Sequence, residues 1–174
     1  MKTLAYAGIG SRETPPDVLV LMTKIATRLA ARGYTLRSGA APGADTAFEQ
    51  GAVAKEIWLP WKRFNQHPSK LEPHRDAYAM AARFHPNWEA CNRAARSLHA
   101  RNCHQVLGSD LSAPDPVHFV ICWTRNANGA GGTGQALRIA KHYAIPIYDL
   151  GRSDRDNVLQ EIAEHVMRNE QGRA

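Results

Sequence analysis

Two glycine-rich segments have the composition of an anion site: AYAGIGSR, which supplies Gly8, Gly10, Ser11 and Arg12, and NGAGGTGQAL, which supplies Gly131, Gly132, Thr133, Gly134 and Gln135. Glycine lets the backbone turn tightly. A helix that opens directly after such a turn aims its unpaired N–H groups and the positive end of its dipole at whatever lies in front. The hydroxyls of Ser11 and Thr133 and the fork of Arg12 add donors suited to phosphate. A third segment, SGAAPGAD, contributes Ser38, Gly39, Gly43 and Asp45. Asp45 is expected to meet a ribose hydroxyl, or simply to complement the positive end of its helix. Asp45 and Glu49, one turn apart, are the carboxylates available for acid or base catalysis.

The spacing excludes two familiar phosphate binders. GIGSRETP places Ser and Arg where the dinucleotide fingerprint GxGxxG needs its later glycines, and neither glycine run is followed by GK[ST]. A shorter phosphate or ribose turn remains. Trp61, directly after a strand-like run and ahead of Lys62 and Arg63, is a candidate base-stacking platform, whereas Trp58 and Trp123 fall in apolar runs and belong to the core. His99, Cys103 and His104 in HARNCH suggest a metal, but no further Cys, His or carboxylate completes the set, so neither metal nor cofactor is expected. Cys91, Cys103 and Cys122 form no CxxC pair and read as reduced thiols.

Positioning these residues requires strands that end where the turns begin. Residues 3–7, 34–38, 56–60, 117–123 and 145–150 read as strands, the fourth apolar almost throughout and therefore central. Helical spacing covers a segment capped by Thr14 with Pro15 in the first position and Gly33 as its stop. Further helices are expected over 44–54, 76–84, 88–98, 102–107 and 133–143. Ser153 caps a closing helix with Val158, Leu159, Ile162, Val166 and Met167 inward. Strands alternating with helices imply an α/β fold: a single three-layer Rossmann-like domain, residues 1–174, with a mainly parallel sheet and a helical insert over about 75–108. Ligands of such sheets bind beyond the carboxyl ends of the strands, where residues 8–12, 38–45, 60–64 and 124–135 converge; Thr124 belongs to that set. Arg101 and Asn102, in the insert, are placed to reach over the site as a lid. The long loop at 61–74 has the length of a functional one.

Bulk properties fit an anionic ligand. Lys and Arg number 22 against 16 Asp and Glu, for a net charge of +6 over 174 residues. The charge is scattered rather than gathered into an arm or helix, which argues against a dedicated duplex-DNA binder. The first residues reach glycine too early for a signal peptide, and no apolar stretch approaches the roughly 20 residues of a membrane span, so a cytoplasmic protein with no membrane partner is expected.

At the level of motifs the chain resembles the SLOG superfamily of Rossmann-like nucleotide-binding proteins, and within it the core of DNA-processing protein A more than the LONELY GUY phosphoribohydrolases. GIGSR resembles the opening of that core, and LRSGAAPGADTAFEQGA is similar to its SG-x-A-x-G-x-D segment. HARN (His99 to Asn102) is similar to its FPxRN, and VICWT followed by GGTGQALRIAKHYAIPIYDL is similar to the final strand, turn, helix and strand of the superfamily. Nothing corresponds to the flanking domains of DNA-processing protein A, which implies a stand-alone core of the kind a phage or other mobile element would carry. Against the LONELY GUY motif PGGxGTxxE, Ala130 stands at the proline and Arg138 at the glutamate, which removes the carboxylate that an oxocarbenium-like transition state needs. The resemblance implies a homo-oligomer. Three functions follow in order: a binder of a nucleotide or ADP-ribose-like ligand acting as sensor, carrier or sequestering protein; a single-stranded DNA binder; and an N-glycosidase or phosphoribohydrolase using Asp45 or Glu49.

Overall fold

The structure is a computed structural model that describes residues 4–172; Thr3, expected to open the first strand, lies outside the described residues. The elements run β1 (Ala5–Gly8), α1 (Pro16–Ala30), β2 (Thr35–Ser38), α2 (Ala44–Gly51), β3 (Lys55–Ile57), α3 (Arg75–Phe84), α4 (Arg93–Leu107), β4 (Phe119–Cys122), α5 (Thr133–His142), β5 (Ile147–Asp149) and α6 (Arg155–Gln171). The strands form one sheet in the order β3-β2-β1-β4-β5, and every neighbouring pair is parallel. The chain therefore builds outward from β1 to β3, crosses over, and resumes beside β1 with β4. That reversal opens a crevice between β1 and β4. β1, not the more apolar β4, occupies the centre of the sheet.

Alternation along the strands sorts the core into two layers. Tyr6, Leu36, Phe119, Ile121 and Tyr148 pack with Met22, Phe48, Val158 and Ile162 under α1, α2 and α6. Ala5, Ala7, Val120 and Cys122 pack with Ala77, Ala81, Ala100, Ala136 and Ala140 under α3, α4 and α5. Helices thus cover both faces of the sheet, which is the three-layer Rossmann-like arrangement.

Several local expectations are corrected. Thr14 does not cap α1: Pro15 holds the cap position, Pro16 opens the helix where its missing N–H costs nothing, and the Thr14 hydroxyl donates to the Ser11 carbonyl at 2.6 Å. The stretches expected as separate helices at 88–98 and 102–107 are one helix, α4, which starts only after Asn92 accepts the Ala95 N–H at 2.9 Å. Asp154 rather than Ser153 precedes α6, and Met167 is 49% exposed because it falls outside the stripe of Val158, Ile162 and Val166. Among the described residues no helix is long and apolar enough to cross a membrane.

Candidate ligand cleft

A cleft of about 680 Å³ opens beyond the carboxyl ends of β1 and β4, a size in the range of small-molecule sites. Its first wall is the loop after β1. This loop is held to β4 by the Ile9 N–H on the Ile121 carbonyl (3.1 Å) and the Ser11 N–H on the Trp123 carbonyl (3.2 Å). At Gly10 a Cβ would stand 2.7 Å from that of Ala44, so only glycine lets α2 begin this close to the β1 loop. The Ser11 hydroxyl accepts the Glu13 N–H at 3.0 Å, and Glu13 pairs with Arg125 at 2.6 Å. Arg12 is exposed at the rim and forms no ion pair among the described residues.

The second wall is the turn that opens α5. Gly131 takes φ +75°, a conformation that favours glycine, and the N–H groups of Gly131, Gly132 and Thr133 have no acceptor among the described residues. Gly132 differs: its φ is −60°, and an added Cβ would meet nothing within 4 Å. Neither packing nor backbone conformation explains a glycine there.

The third wall is α4. The Asn102 amide donates to the Gly132 carbonyl at 3.1 Å and ties α4 to the α5 turn. Arg101, 8% exposed, donates through Nη1 to the Gly39 carbonyl at 2.7 Å, while its Nε has no partner. Gln105, one helical turn further on, is 1% exposed, and its Nε2 also lacks a partner. His99 shares this wall; burial, with the nearby charge of His85, Arg138 and Arg101, lowers its pKa to about 4 and keeps the imidazole neutral.

Beneath these walls lies Asp45, 3% exposed, in the first turn of α2. Burial pushes its carboxyl up to about 6, against the opposing pull of the Arg101 charge and of backbone N–H groups at Ala41, Gly39 and Gly10. Those N–H groups belong to the loops after β1 and β2, so Asp45 pins two loops to one helix start. The cleft thus combines three free backbone donors, a rim guanidinium, a buried guanidinium and one buried acid. It is equipped for an anion flanked by a polar group.

Of the residues read from the sequence, Gly10, Ser11, Arg12, Asp45, Arg101, Asn102, Gly131, Gly132 and Thr133 line the cleft together. The others stand behind it. Gly8 lies in β1, where a Cβ would strike Phe48, and Ser38 donates to the Gly8 carbonyl at 2.6 Å. Gly39 backs onto Arg101 and Gln105, and Gly43, φ +88°, lies against the backbone of Ser11 and Arg12. Thr124 is taken up by Asp149, which accepts its N–H and its hydroxyl. Gly134 sits inside α5 against the Gly129 carbonyl, and Gln135 is fully buried, donating to the Ala81 carbonyl at 2.9 Å. Trp61 packs edge-on against Phe64, off the cleft. Glu49 faces away too, bound to Lys55 at 3.0 Å and His67 at 2.9 Å. The sequence reading missed His85 and Gln105, and weighed His99 only as a metal ligand and as part of the HARN motif; all three are in the cleft lining. Gln105 follows Arg101 by four residues and shares its helix face, a signal visible only once α4 is one helix.

No protein-family model and no curated protein matches the chain. Among solved structures it is similar to DNA processing protein A from Helicobacter pylori, whose structure was described for a unique single-stranded DNA binding mode. The two share 18% identity with a TM-score of 0.51, over 93% of this chain and 74% of that one. At this identity the likeness establishes a shared fold and nothing more.

Proposed function

We propose that the protein binds a phosphorylated nucleotide, or an ADP-ribose-like relative, with a phosphate on the α5 turn and the rest of the ligand between the β1 loop and α4. The observation that carries this reading is Gly132, a glycine that the fold does not require, between two free N–H groups on the wall facing Arg12. A side chain at that position would occupy the space in front of the helix N-terminus, which is where an anion gains most from the dipole. The unpartnered Arg101 Nε and Gln105 Nε2 supply donors for the ribose or base. On this reading the molecule acts as a sensor, carrier or sequestering protein. Asp45 is the buried acid of the cleft, and Glu13, the other acid in its lining, is paired with Arg125 at the rim.

A second reading, single-stranded DNA binding, is supported by the fold shared with DNA processing protein A and by the +6 charge. Thermal unfolding with AMP, adenosine, ADP-ribose and a short oligo(dT), at low and high salt, separates the two. A nucleotide held at about 100 times its Kd adds about 2.7 kcal/mol to stability, and AMP is expected to outperform adenosine. Stabilisation by oligo(dT) alone, falling steeply with salt, would replace the first reading by the second. Release of free base from AMP would instead point to a glycosidase. Arg12→Ala is expected to weaken AMP by about tenfold and leave adenosine unchanged, consistent with one exposed charge-assisted contact.

A further inference from the structure

The α3–α4 corner carries a group of side chains that the ligand cleft does not account for. His85 follows the last turn of α3, Cys91 lies in the connecting turn, and His99 lies on the second turn of α4. One ligand atom from each falls within 4.8 Å of the other two. The Cys91 Sγ stands 3.7 Å from His85 nitrogens, close to the separation of about 3.6 Å that a thiolate and an imidazole keep on a tetrahedral zinc ion. The two imidazole rings lie 4.4 Å apart between centroids, and His99 Nδ1 is buried without a hydrogen-bond partner. Cys103 and His104, which adjoin His99 in the sequence, are occupied elsewhere: Cys103 Sγ lies 3.6 Å from the Ala77 carbonyl, and His104 stacks on Trp58 and bonds the Gly108 carbonyl.

We propose that His85, Cys91 and His99 bind a zinc-like divalent cation as three protein ligands, with the fourth position open to the cleft. The donor set selects the metal. One soft thiolate with two imidazoles suits zinc and disfavours magnesium and calcium, which take oxygen. Three ligands rather than four is the pattern of an open site, and His85 and His99 both line the cleft while Cys91 does not, so the free face points inward. Two features oppose binding. The Asn87 N–H donates to His85 Nδ1 at 3.2 Å, and the positive charges of Arg101 and Arg138 act on His99. The first is a single neutral hydrogen bond, which a metal–imidazole bond outweighs. The second is offset by the thiolate that the metal creates and by any anion in the cleft. The cation would thus sit beside the space assigned to the nucleotide, within reach of a phosphate or carbonyl oxygen.

The test uses the intact chain and the metal alone. Protein equilibrated with zinc and then dialysed is expected to retain one ion per chain, and cobalt in its place to give a thiolate-to-metal charge-transfer band. Cys91→Ser should abolish that band and weaken zinc by about 100-fold or more, since loss of an outer contact alone reaches 10–100-fold. His99→Ala should weaken it comparably, and Cys103→Ser should leave affinity and spectrum unchanged. Should the variants fold poorly, labelling of the unmodified protein decides: Cys91 is the half-exposed thiol, so zinc should slow its reaction with a thiol reagent at least tenfold. A charge-transfer band that survives Cys91→Ser, zinc retention equal in Cys91→Ser and wild type, or a labelling rate indifferent to zinc would each overturn the proposal.

Discussion

The two faces of the sheet are built from different materials. Under α1, α2 and α6 the core is large and aromatic: Tyr6, Phe48 and Phe119 interlock, with Tyr6 centroids 6.2 Å from Phe48 and 6.0 Å from Phe119. Under α3, α4 and α5 the buried residues include no aromatic ring: alanines such as Ala77, Ala81, Ala100 and Ala136 pack with aliphatic side chains such as Val106, Leu107, Val120 and Ile139. Large rings contribute buried area and fix the sheet. Small residues contribute less, but they let α4 settle close enough for Arg101 to reach the Gly39 carbonyl and Asn102 to reach the α5 turn. One face supplies stability and the other supplies access, and the cleft lies where the two meet at the end of β1.

The contrast can be broken most forcefully at Phe48. Phe48→Ala is expected to cost about 3–5 kcal/mol by leaving a cavity against Gly8 and Leu36, measured by chemical denaturation; a cost below that of any change on the alanine face would invert the comparison. Asp45→Asn tests the seam. An acid whose carboxyl rises to about 6 on folding holds more protons folded than unfolded, so its contribution is favourable below about pH 4 and is lost as pH rises through 6. The charged form therefore costs the fold about 3 kcal/mol above pH 6. The variant should be more stable than wild type by up to that amount at neutral pH, with the gap closing near pH 4. A constant gap across that range would show that burial does not shift the acid.

Ala100→Leu probes the alanine face itself. Overpacking should cost about 1–3 kcal/mol and, by lifting α4, weaken ligand binding more than Phe48→Ala does at matched stability. The smallest stability effect belongs to Gly132→Asp, where a side chain meets open space. Stability should stay within about 0.5 kcal/mol of wild type, yet AMP should no longer raise the unfolding temperature, because a carboxylate takes the phosphate's place. Retained stabilisation would move the ligand off the α5 turn.

Strands and helices were legible because period-2 and period-3.6 patterns survive in short apolar runs, and the glycine turns announced the two ends that face one another across the cleft. What escaped is instructive. Trp61 looked like a stacking platform because it follows β3 and precedes two cations, but its contact is with Phe64 three residues on. Thr124 and Gln135 have the right types in the right loop, yet buried partners consume them. Sequence reveals which groups can donate, while the competition for each donor is decided by packing. His85 was not singled out and Cys91 was read only as a reduced thiol, for the complementary reason: the turn between α3 and α4 brings these side chains to His99 from positions that no fixed spacing connects.

The bond from Asn102 to the Gly132 carbonyl has a directional result. A trans peptide plane is rigid, with its oxygen and its amide hydrogen on opposite sides, so anchoring the oxygen of residue 132 to α4 also sets the heading of the Thr133 hydrogen. A single amide on one helix thereby orients the tip of another, and the heading of that donor is set by the fold itself.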